Sequence, residues 1–211
     1  MSGGSAQTRR QFLSLASLSV LRPQPVVVPV NVVTDGLARW APRQLDAFWW
    51  KLWPDTCRQF GGCGIRLQST ATLGGVARPP GREPILTGLE RGALNLVVTN
   101  RIPMEWDQGR TLSGVTLLYR SYSVCMIAMD HAHGLQVPLL SVNTCTHEIL
   151  HALLLDIFEE KPPGIAGAWR EFRVDWYATR LSFHAPGTEV RSSALRYVTR
   201  LAHSDGVAAA K

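Results

Sequence analysis

The stretch with the clearest chemical content is Thr146-His147-Glu148-Ile149-Leu150-His151. At about 100° per residue, His147 and His151 lie roughly 40° apart on a helix surface, one turn separated. Both imidazoles can therefore reach one divalent metal from a single face. Glu148 lies about 100° round from His147, where it can touch a metal-bound water as general base without ligating the metal. Ile149, Leu150, Ala152, Leu153, Leu154 and Leu155 make the surroundings apolar, and unpaired polar groups are costly there. The competing reading is a pair of hydrogen-bonded core histidines. A tetrahedral catalytic zinc needs a third protein ligand and one open position. Asp156, about 900° round from His147, points to the opposite face. Glu171 and Asp175 share one face of the next predicted helix at i and i+4. Either carboxylate, or His184, is a candidate ligand; otherwise the pair is a solvated face, with Glu171 bridging to Arg170 or Arg173.

His-Glu-x-x-His on a helix is the signature of zinc proteases, two His ligating and the Glu serving as base. The metzincin continuation would need Gly and His where Leu154 and Ile157 stand. Glu171-Phe172-Arg173-Val174-Asp175-Trp176-Tyr177-Ala178 resembles instead the Glu-x-x-Ala-Asp-x-x-Ala segment of gluzincin-type zincin metallopeptidases, with Val174 in place of the first Ala. The resemblance is specific over residues 146–181. It implies one zinc per chain, with His147, His151 and Glu171 as ligands. Asp175 would accept an N–H from His147 or His151, and Glu148 would act as base on a peptide or protein substrate. Tyr119, Tyr122, Tyr177, His131 and His133 are the candidates for stabilising the transition-state oxyanion. An inactive zincin-fold module that binds metal or a protein partner is the alternative function.

Zincins place a strand, a long helix and further strands before the active helix. The last strand forms the upper edge of the cleft and pairs with substrate backbone. Here residues 26–33 read as a strand, near an edge because of Pro29. Residues 42–53 read as a helix ended by Pro54, and its Trp49, Trp50 and Trp53 as packing rather than a sugar or base platform. Strands follow at 65–72, 94–99, 115–118 and 123–129, with a surface loop at 74–84. Residues 123–129 are the expected cleft edge. Helices are expected at 139–155, 169–183 and 192–203, and residues 205–211 should fray. The expected fold class is α+β. A zincin-like domain over residues 26–204 would have a small twisted mixed sheet, a backing helix and an active-site helix followed by C-terminal helices.

The 211 residues are 45% hydrophobic and 18% charged, which excludes a disordered chain. No apolar run is long enough for a multi-span membrane protein. The net charge of +6 comes without a run of five basic residues, so no nucleic-acid partner is expected. Thr8-Arg9-Arg10-Gln11-Phe12-Leu13 resembles a bacterial twin-arginine export signal, making residues 1–25 a leader. The protein would then be exported, periplasmic or extracellular. No clear Ala-x-Ala cleavage site follows, so an uncleaved leader would act as a membrane tether. In an oxidising compartment the pairs Cys57–Cys63 and Cys125–Cys145 are expected, although four cysteines allow three connectivities.

Overall fold

The computed structural model describes residues 24–41, 43–77, 79–80, 82–103, 113–118, 122–130, 143–158, 166–183 and 187–208. The proposed leader up to residue 23 lies outside them, as do Tyr119, His131, His133 and His184. The fold is α+β. Six strands, β1 (Val26–Asp35), β2 (Ile65–Ala77), β3 (Ile85–Thr87), β4 (Leu94–Thr99), β5 (Gly114–Leu118) and β6 (Ser123–Ala128), form one mixed sheet in the order β3-β2-β1-β4-β6-β5. β1, β2, β4 and β6 run parallel, and the two outermost strands are antiparallel to their neighbours.

The helices are α1 (Gln44–Ala47), α2 (Trp53–Gly62), α3 (Thr144–Leu153), α4 (Leu155–Phe158), α5 (Ala166–Ser182) and α6 (Thr188–Ala208). Strand alternation decides what they cover. Val28, Val30, Leu96 and Ile127 face a core shared with Phe48, Leu52, Phe60, Ile149, Leu153, Val174 and Val190 from the helical side. Val33, Val97, Val124 and Met126 face a smaller cluster on the other side. Among the described residues no helix is long and apolar enough to cross a membrane.

Several expectations need correction. Pro54 does not end the first helix. α1 runs through a π turn (Phe48–Leu52) into α2, with Pro54 in the first turn of α2. A wider turn ahead of a proline accommodates the missing N–H and the ring. Trp53 packs in the core, stacked on Phe48, while Trp50 stands exposed. Pro29 is not at an edge either, because β1 pairs on both sides. It sits ahead of the ladder with β4, which starts at Val30, so no bond is lost on that side. The strand 123–128 is interior; the outer strand is β5. The expected loop at 74–84 instead carries the end of β2, and the short β3 follows at 85–87. The tail stays helical through Ala208.

The expected disulfides are absent: Cys57, Cys63, Cys125 and Cys145 are all free thiols. Cys57 lies inside α2 and Cys63 just past its end as the C-cap, and on a helix six residues span about 9 Å along the axis and 240° around it. A disulfide needs Cα atoms within about 7 Å. The Cys63 thiol donates to Phe60 O at 3.1 Å, and burial pushes its pKa up to about 11. Cys125 and Cys145 are fully buried between β6 and α3, and Cys125 Sγ donates to Glu148 O at 3.3 Å. Buried thiols of this kind are inert in either redox compartment, so they say nothing about location.

Candidate metal centre

α3 starts at Asn143, whose Oδ1 accepts from the Thr146 N–H at 3.2 Å and so satisfies a first-turn donor. The same side chain is locked to the preceding helical run. Its Nδ2 donates to Leu52 O at 3.3 Å and to Asp55 Oδ2 at 3.1 Å, and its Oδ1 lies 3.2 Å from Thr56 Oγ1. Thr146 Oγ1 donates to Gln59 Oε1 at 2.6 Å. These groups are mostly buried, so each bond replaces water that cannot reach them. The turn that carries His147 is thereby held from behind by α2.

On the opposite side of α3 three ligating groups converge. His147 Nε2 and His151 Nε2 are 3.0 Å apart. Glu171, on α5, places Oε2 3.3 Å from His147 Nε2 and Oε1 3.4 Å from His151 Nε2. With one atom taken from each residue, all three lie within 4.8 Å of one another. Asp175, one turn further along α5, has Oδ1 3.0 Å from His147 Nδ1. That contact puts a proton on Nδ1; in the metal-free protein Nε2 carries a second proton when it donates to Glu171, and a bound cation would take that proton's place on the Nε2 lone pair. Atoms bound at about 2.0–2.1 Å to a tetrahedral zinc stand about 3.3–3.4 Å from each other. Each imidazole meets a different oxygen of Glu171 near this spacing, and the chemistry of two imidazoles and a carboxylate suits such an ion. The histidine side chains are largely buried, whereas those of Glu171 and Asp175 are 59% exposed, so the cluster opens to solvent on the α5 side.

The electrostatics follow from this packing. Burial alone would lower the His147 pKa. The hydrogen bond with Glu171 and the nearby Glu148, Asp175 and Glu171 carboxylates outweigh it, and the net displacement is upward. Hydrogen bonds from His147 and His151 hold the Glu171 carboxyl well below the usual range, because they favour its charged form.

Glu148 points into the sheet edge and is 5% exposed. Its Oε2 lies 2.7 Å from Thr116 Oγ1 on β5. Burial pushes its pKa up, against the opposing pull of His151, His147 and Thr116. Gly114 lines the same recess: a Cβ there would lie 2.5 Å from Glu148 Oε1 and 2.6 Å from its Cγ. The arrangement can hold a divalent cation and keep a proton acceptor beside it.

Of the other candidates, Tyr177 is spent elsewhere. Its hydroxyl donates to Glu189 and accepts from Arg173 Nη2 at 3.1 Å, and burial followed by the Glu189 bond pushes its pKa up to about 12. Tyr122 packs on the sheet face away from the helices. Asp156 points away from the cluster, as expected, and pairs with Arg196 on α6. Thr116, Gly114, Gln59 and Asn143 were not singled out from the sequence. Asn143 falls inside the helix expected at 139–155, and its capping role shows only where α3 begins, at Thr144. The others are recognisable only once β5 and α2 are known to flank α3. Comparison with protein-family models, with curated proteins and with solved structures finds no match for this chain.

Proposed function

We propose that the protein is a zinc-dependent metallopeptidase of the gluzincin type, with His147, His151 and Glu171 as the zinc ligands and Glu148 as general base. The observation that carries this reading is the meeting of His147 Nε2, His151 Nε2 and the Glu171 carboxylate at 3.0–3.4 Å. Zinc supplies Lewis acidity when bound, polarising a carbonyl and lowering the pKa of water. Asp175 keeps the His147 ring in the ligating tautomer. Glu148 takes a proton on its carboxylate and returns it to the leaving amine. The burial that raises its pKa brings it nearer the working range of a base. Among the described residues no strand pairs with the outer edge of β5, an edge that would receive an extended peptide, a role the sequence alone suggested for residues 123–129. The twin-arginine motif supports delivery of the folded protein to the periplasm or exterior.

The test has two parts. Purified protein should hold about one zinc per chain, and Glu171→Ala should lose it; unchanged zinc affinity in that variant refutes the ligand assignment. A quenched-fluorescent peptide library should then be cleaved by the parent and not by Glu148→Gln, with zinc retained. Zinc binding without any Glu148-dependent cleavage would favour the inactive metal-binding module instead.

A further inference from the structure

We propose that Thr116, on the outer strand β5, is a positioning residue that holds the Glu148 carboxylate in its working place, with Gly114 leaving the room for it. This rests on the reading of Glu148 as the base. The Thr116 hydroxyl has one hydrogen and three acceptors in reach: Glu148 Oε2 at 2.7 Å, Glu148 O at 2.9 Å and, more distant and weaker, Cys125 Sγ at 3.5 Å. The carbonyl is served from another side by the Cys125 thiol at 3.3 Å. The hydroxyl hydrogen therefore goes to the carboxylate, which is closer and makes the stronger, charge-assisted bond. Among the described residues Thr116 is the one hydrogen-bond partner of that carboxylate. A glutamate without it has three side-chain torsions held by packing against Gly114 alone. The strand best placed to receive substrate backbone thus also carries the group that aims the base.

The experiment compares Thr116→Val, which keeps the β-branched shape without the hydroxyl, and Thr116→Ser, which restores the hydroxyl. The substrate is one quenched-fluorescent peptide that the parent cleaves and Glu148→Gln does not. Thr116→Val should lower kcat about tenfold or more, since small misplacements of a reacting group carry penalties of that order. KM and zinc stoichiometry should stay unchanged, and Thr116→Ser should keep kcat within about threefold of the parent. A Val variant with parental kcat overturns the proposal, as do Val and Ser variants equally impaired. A parent with no Glu148-dependent cleavage fails the peptidase reading instead. A second measurement then still decides whether Thr116 holds Glu148: urea unfolding of metal-free protein in a cycle of Thr116→Val and Glu148→Ala. Non-additivity of roughly threefold or more in the unfolding constant supports the contact, and additivity overturns it. Thr116→Ala replaces the Val variant in both measurements if the latter does not fold.

Discussion

Glu171 and Glu148 are the same side chain on two sides of one pair of imidazoles, and the protein treats them in opposite ways. The Glu171 side chain is 59% exposed, bonded to both histidines, and held anionic. Glu148 is enclosed between α3 and β5, bonded to a neutral hydroxyl, and pushed toward the protonated form. An exposed carboxylate pulled down by donors suits a cation ligand. A buried one pushed up suits proton transfer. Environment, more than residue type, separates the two roles.

The largest test of this contrast exchanges charge for amide on each side. On the proposed reading, Glu148→Gln should lower kcat by about 10²–10⁴ with zinc content intact by metal analysis. Glu171→Gln should lower zinc affinity first; equal zinc loss in both variants would erase the distinction. Gly114→Ala comes next. Its methyl would collide with Glu148 and not with the ligands, so activity should fall at least about tenfold and stability by about 1–3 kcal/mol, with zinc unaffected. Asp175→Asn acts on the other side and should weaken zinc binding about 10–100-fold, read by competition with a chromogenic chelator. Asn143→Ala should lower unfolding stability by about 1–2 kcal/mol, because it strips the cap that serves both sides alike.

The smallest effect concerns metal-free protein and pH. The folded pKa of Glu171 is lowered, so its contribution is present above the unfolded value and lost as pH falls. That of His147 is raised, so its contribution is complete below the unfolded value and lost as pH rises through the folded one. Glu148, raised as well, loses stability as pH climbs above its unfolded value, so the three together favour a shallow maximum toward the acid end of about pH 4.5–6.5, weakened by the exposure of Glu171. Thermal melts of chelator-treated protein should show the maximum, and Glu171→Gln should flatten it.

The convergence of His147, His151, Glu171 and Asp175 was legible because helix periodicity is local. The spacings of His147 to His151 and Glu171 to Asp175 each specify one face without knowledge of the rest. What touches the far side of Glu148 was not legible, because it depends on strand order. The chain lays β5 outside β6, so the strand nearest in sequence to α3 is interior and Thr116 of the earlier strand meets Glu148. Alternation of apolar residues reveals which way a strand faces, not which neighbour it takes. Pro54 misled for a related reason: a proline rule assumes an α-turn, and here a π turn precedes it. The cysteine pairs were guessed from proximity in sequence, and tertiary packing placed each thiol against a carbonyl or in the core instead.

The cap residue Asn143 has a mechanical consequence. A cylinder tied at one end to α2 and packed along its flank against Gly114 resists rotation about its own axis. Rotation by about 10° would sweep side-chain atoms some 6 Å from its axis through about 1 Å, a displacement that on the proposed reading would cost about 10²-fold in rate. The hub behind the imidazoles therefore acts as a clutch held in the engaged position, and its stiffness sets how faithfully the groups in front keep their aim.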